Sequence, residues 1–292
     1  MSATGHAHGD VERDRRTFLP LTLTEQPARP GELPVLVGEL PDASFLTDTD
    51  GRPTTGVLAA AVDSIGGLAN GLAVLPDWTV TTNLTLRRAP SAVVGPQGTG
   101  PLTLRAEVLR RGRSAAVCRV ATTDAGGIEV ATAWMTSAVL QPEEGPPRFE
   151  RPLHREALAL ADDPAVVPRL EEFFDLQPGP HPGEGLLYIT PERRNRWGIL
   201  FGGGVAVLID ATAASAVSGT PVGTPSPDHV VTDLVIHYLS PGRVGPVAAT
   251  AERLGRHGRD EMVKVELRDT GADDRPLTTA VATVRRVSPR RS

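Results

Sequence analysis

The chain has a single cysteine, Cys118, which excludes an intrachain disulfide and any multi-cysteine zinc or iron–sulfur site. Cys118 lies in the alternating segment 116–120 and is expected to pack as a small apolar group, not to act as a nucleophile. Lysine is equally scarce. Lys264 is the only one, so the basic side chains are otherwise arginine, which reads as the codon bias of a GC-rich bacterial genome. Aromatic residues make up 4% of the chain, which argues against an aromatic-lined pocket. No apolar run is read as approaching the roughly 18–20 residues of a membrane span. The polar segment 1–16 lacks the apolar core of a signal peptide, and His6 and His8 within it are read as part of a disordered tail, not as metal ligands. A net charge of −5 gives no general attraction to nucleic acid or anionic membrane. Also missing are a G-x-S-x-G elbow, a P-loop, an H-E-x-x-H pair and a glycine-rich dinucleotide fingerprint. These absences predict a cytoplasmic protein without cofactor, metal, nucleic-acid partner or membrane partner.

What is present is a chain that contains itself twice. Its 292 residues suffice for two ordinary domains, and 40% hydrophobic with 22% charged residues suits a soluble globular protein. One copy reads Gly56-Val57-Leu58-Ala59-Ala60-Ala61-Val62-Asp63, and the other Gly203-Gly204-Val205-Ala206-Val207-Leu208-Ile209-Asp210. In both, a glycine precedes an aspartate by seven positions, with an apolar stretch between. Asp63 and Asp210 lie 147 positions apart. Downstream, Thr82-Asn83-Leu84 answers Thr232-Asp233-Leu234, Ala106-Glu107 answers Ala251-Glu252, and Gly112-Arg113 answers Gly258-Arg259. A nearly constant offset over about 60 residues identifies an internal repeat. The boundary is placed in the Pro- and charge-rich stretch 141–152. The predicted domains are 17–145 and 153–288, with tails 1–16 and 289–292.

Each copy predicts one buried helix followed by an antiparallel meander. The stretches 57–74 and 204–217 are apolar all round, the mark of a helix without a solvent face. After the first helix, Leu102, Leu104, Ala106 and Val108 alternate with Thr103, Arg105 and Glu107. After the second, Val263, Val265 and Leu267 alternate with Lys264 and Glu266. Segment 33–40 supplies a further strand. Segment 163–176 is read as a helix with Pro164 in its first turn and Val167, Leu170 and Phe174 on one face.

On these residues the chain resembles the phenylacetate-pathway acyl-CoA thioesterases and the broader 4-hydroxybenzoyl-CoA thioesterase superfamily. That family carries Asn, two residues, Gly, two residues, His-Gly-Gly, and an acid seven residues after the second glycine. Here the second copy has Asn195, Gly198, Phe201-Gly202-Gly203 and Asp210, and the first has Asp48, Gly51, Thr54-Thr55-Gly56 and Asp63. The family histidine is therefore Thr54 in one copy and Phe201 in the other, and one glycine has become Thr55. The resemblance implies an α+β fold of two tandem hotdog domains. In each, an antiparallel sheet wraps around a long central helix, and the two pack as a pseudo-dimer.

The resemblance also implies a chemistry. The helix acids Asp63 and Asp210 would act as general base or as nucleophile, and the residues leave that choice open. Asn195 would orient water or the carbonyl. Backbone N–H groups of Thr55, Gly56, Gly202 and Gly203, at the helix starts, would hold the oxyanion. One helix cannot bring both its amides and its acid to one carbonyl, since about eight residues span roughly 12 Å. Carried over from the family, Asp63 would work with Gly202 and Gly203, and Asp210 with Thr55 and Gly56. Asn83, Asp233 and Arg196 are candidates for substrate binding, with strand-edge or solvated-loop roles as the alternative. The expected partner is an acyl-CoA or acyl-carrier thioester, with self-association of the two-domain chain as a further expectation. Two other readings stay open. One is a non-catalytic acyl-thioester-binding protein. The other is a hydratase, disfavoured because neither helix holds a histidine.

Overall fold

A computed structural model describes residues 19–27, 29, 31–42, 46–47, 53–89, 100–141, 151–155, 170–195 and 197–287. In chain order the first half has β1 (Thr22–Glu25), β2 (Val35–Leu40), helix α1 (Thr55–Val74), β3 (Trp78–Arg88), β4 (Leu102–Arg111), β5 (Ala115–Thr123) and β6 (Glu129–Leu140). A short strand β7 (His154–Arg155) and a single helical turn, Leu170–Phe173, lead into the second half. That half has β8 (Gln177–Pro178), β9 (Glu184–Leu187), helix α2 (Gly202–Ser218), β10 (His229–Tyr238), β11 (Val247–His257), β12 (Asp260–Asp269) and β13 (Arg275–Arg286). Of the helix expected over 163–176, only the turn Leu170–Phe173 lies among the described helical residues; 163–169 lie outside them.

All the described strands join one sheet in the order β7-β1-β2-β4-β5-β6-β3-β10-β13-β12-β11-β9-β8. Read outward from the β3–β10 seam, both sides run in the same sense, which is the internal repeat written as a pseudo-twofold. The seam is antiparallel, from Asn83 opposite His237 to Arg87 opposite Asp233. β4, β5, β12 and β13 alternate buried and more open residues, as period-two patterning requires of a sheet with one covered face. α1 covers the face formed by β2–β6, and α2 covers that formed by β9–β13.

The two helices also pack against each other. Their approach is close because it occurs at glycines. A Cβ on Gly56 would lie 2.9 Å from Val207 Cα, and one on Gly203 would lie 2.8 Å from Ala60 Cβ. These two contacts correspond to each other in the repeat. α1 is long and apolar enough to cross a membrane, which corrects the expectation that no such run exists. The reason is packing: nearly every residue from Thr55 to Val74 is buried within the protein, so an apolar surface all round is what its sheet and its partner helix demand.

Candidate active site

Each helix start meets the aspartate of the opposite half. α1 opens at Thr54, in extended conformation, whose hydroxyl accepts the Val57 N–H at 3.2 Å. α2 opens at Phe201, which supplies no side-chain cap. Neither the Gly202 N–H nor the Gly203 N–H meets an acceptor among the described residues, as expected of the first amides of a helix. Phe201 instead folds its ring over Gly203, and the buried Phe174 ring packs on Gly204. A Cβ on Gly203 would overlap the Phe201 ring, and one on Gly204 would lie 2.6 Å from the Phe174 ring.

Asp63 lies in the middle of α1 and is buried. Its carboxylate rests on Gly202, with Oδ2 2.7 Å from where a Cβ would stand. Thr81 donates to Asp63 Oδ1 at 2.9 Å. Burial pushes the Asp63 carboxyl up to about 6, with the Thr81 hydroxyl acting in the opposite sense. Thr81 reaches Asp63 from β3, beside a register shift between Thr81 and Asn83 in the pairing with β6. Such a bulge re-aims side chains. Tyr238, at the end of β10, donates its hydroxyl to the Gly202 carbonyl at 3.3 Å. Its pKa is raised well above the ordinary value, by burial first and by the Asp63 charge second. Cys118, buried beside Gly66, is pushed up to about 12 by burial and then by Asp63, so it stays a thiol.

Asp210 meets a different set. It is partly buried against Gly56, with Oδ2 3.3 Å from a Cβ position there. Burial pushes its carboxyl up to about 7. The Gly56 amide, the Arg88 guanidinium and the Thr54 hydroxyl lower it, while the Glu171 charge raises it further. Thr55 is turned away: its hydroxyl donates to the Val231 carbonyl at 2.5 Å, and Arg88 Nη1 lies 3.5 Å from it. Val231 occupies the place of Thr81, so Asp210 has no matching strand hydroxyl.

The other predicted residues fall elsewhere. Asn195 Oδ1 accepts the Trp197 N–H at 2.9 Å and the Ile199 N–H at 3.4 Å, holding the loop before α2. Trp197 in that loop stacks edge-on against Trp78 of the other half at 4.8 Å. Asn83 and Asp233 sit on the seam. Asn83 Nδ2 donates to the Ile236 carbonyl at 3.0 Å and lies 3.2 Å from His237 Nδ1, and Asp233 pairs with Arg87 at 3.3 Å. Both join the halves and are committed to protein contacts. Arg196 and Asp48 lie outside the described residues. Thr81, Tyr238 and Arg88 are not among the candidates that the sequence offers, and Thr54 enters there only as the substitute for the family histidine. Reading one residue back from the repeated Thr82 and Thr232 would have exposed Thr81 against Val231.

Solved structures share this architecture. The TesB protein of Mycobacterium avium subsp. paratuberculosis is 13% identical, with 96% of this chain and 99% of that one covered and a TM-score of 0.59. A protein provisionally described as an oleoyl thioesterase from Lactobacillus plantarum is 12% identical, with 87% and 97% covered and a TM-score of 0.60. An acyl-ACP thioesterase from Bacteroides thetaiotaomicron is 12% identical, with 86% and 97% covered and a TM-score of 0.54. At such identities they establish the fold, and it is the tandem hotdog fold. No curated protein sequence matches the chain. The family model described as the acyl-CoA thioesterase N-terminal domain matches twice, over residues 53–138 and 190–285, once on each half of the seam. The chain therefore belongs to the acyl-CoA thioesterase family, and it is a hydrolase of acyl thioesters.

Proposed function

We propose that the chain hydrolyses an acyl-CoA at the junction of Asp63 with the start of α2. The observation that carries this reading is the contact of a buried carboxylate from one half with a helix start from the other whose first amides meet no acceptor among the described residues. The thioester carbonyl oxygen is received by the Gly202 and Gly203 N–H groups, where the helix dipole also favours negative charge. Asp63 takes a proton from water as the water oxygen bonds to the carbonyl carbon. The tetrahedral oxyanion then collapses, the carbon–sulfur bond breaks, and Asp63 returns the proton to the leaving thiolate. The products are a carboxylic acid and a free thiol. A carboxyl raised to about 6 is ionised at neutral pH and yet a far stronger base than a solvated aspartate. Thr81 holds Oδ1 and so leaves the second oxygen, on the Gly202 side, to handle the proton.

Thiol release from acyl-CoA substrates tests the reading. Asp63→Asn is expected to lower kcat by at least about a hundredfold, the scale of a lost general base, with the melting temperature no lower than that of the parent. Asp210→Asn is the contrast, and a larger loss there would move the reaction to the other helix. Single turnover in water enriched in oxygen-18 distinguishes the base from a nucleophile. Label enters the product acid and not the protein if Asp63 is the base.

A further inference from the structure

The two halves carry different side chains at one corresponding position. Tyr238 ends β10 and Arg88 ends β3, and both stand six residues after the repeated threonines Thr232 and Thr82. Each reaches the first turn of its own half's helix. The Tyr238 hydroxyl donates to the Gly202 carbonyl, and the Arg88 guanidinium lies beside the Thr55 hydroxyl, which occupies the place of Gly202 in the repeat. The opposite half's aspartate arrives at each of these helix starts. Three groups therefore converge twice: opening amides, an acid from across the seam, and residue 238 or 88. In one set the third group is a neutral hydroxyl, and in the other it is a buried cation.

We infer that Tyr238 is a positioning residue of the Asp63 site, and that Arg88 in the matching place keeps the Asp210 site silent. The inference rests on the reading of Asp63 as the base. A hydroxyl anchored on the Gly202 carbonyl fixes the rotation of the first helical turn. It thereby fixes the aim of the Gly202 and Gly203 amides without neutralising the acid that faces them. A guanidinium in that place sets a fixed positive charge beside the helix start, where a developing oxyanion and the acid would compete for it. Asp210 rests on Gly56, with Oδ2 3.3 Å from where a Cβ would stand, at the helix start where the buried Arg88 reaches Thr55. Among the described residues, the titratable groups facing Asp63 are Tyr238 from β10 and Cys118 from β5. Those facing Asp210 are Arg88 from β3 and Glu171 from the helical turn before α2.

The experiment compares Tyr238→Phe, Tyr238→Arg and Asp63→Asn in the full chain, reading kcat, KM and the pH profile of kcat/KM. Tyr238→Phe is expected to lower kcat about ten- to a hundredfold with KM little changed, the signature of misaimed groups. Tyr238→Arg is expected to move the acid limb of the profile below its wild-type position, because a cation beside a carboxylate lowers its pKa, and to bring the rate toward that of Asp63→Asn. If Tyr238→Phe keeps the wild-type kcat, the inference is wrong, whether or not Tyr238→Arg folds. An unmoved acid limb in a folded Tyr238→Arg overturns it as well. If Asp63→Asn itself keeps the wild-type rate, the reading of the base has failed instead.

Discussion

Asp63 is held among strand residues, with Thr81 reaching it from beside the β3 bulge and Tyr238 standing at the end of β10. The energetics of these residues give two expectations. As a base, Asp63 must be ionised, so kcat/KM should rise with pH through about 6 and then level. Thr81→Val removes a bond that stabilises the ionised form, so that limb should move upward in pH. For stability the sign is opposite. The folded carboxyl titrates above the roughly 3.9 of an unfolded aspartate, so its contribution is whole below about 4 and is lost as pH rises through about 6. Asp63→Asn removes that loss. Urea denaturation should find it more stable than the parent at pH 8, by roughly 2–3 kcal/mol at most, with the difference vanishing near pH 4.

Both helices were legible as elements, because an all-round apolar segment has few places to go except under a sheet. The purpose of their glycines was not. The family resemblance assigns their amides to the oxyanion, whereas the glycines also admit rings and a neighbouring helix. Gly204→Ala drives a Cβ into the fully buried Phe174 and should cost about 1–3 kcal/mol by overpacking. In a double-mutant cycle, Phe174→Leu should recover part of that cost, and additivity would show that the ring is not the cause. At the other helix start, Thr54→Ala removes the cap on Val57 and should cost about 1 kcal/mol in the same assay.

At the scale of the molecule, the halves share a sheet, a helix pair and an indole pair, so neither has a complete surface of its own. Calorimetry should therefore show one unfolding transition, and two resolved transitions would mean the seam is weaker than its contacts suggest. The doubling itself was readable from matching residues. The partnership of strands was not, because Asn83 and Asp233 look like pocket residues until β3 and β10 are seen side by side. The seam also has a bearing on ancestry. In an assembly of two identical chains every substitution strikes both centres at once, and a change that ruins catalysis has no intact copy to shelter it. Linking the copies end to end lets a mutation land on one side alone. One half can then keep the chemistry while its twin drifts toward a purely architectural duty, and Arg88 opposite Tyr238, like Val231 opposite Thr81, is the kind of mismatch such freedom leaves behind.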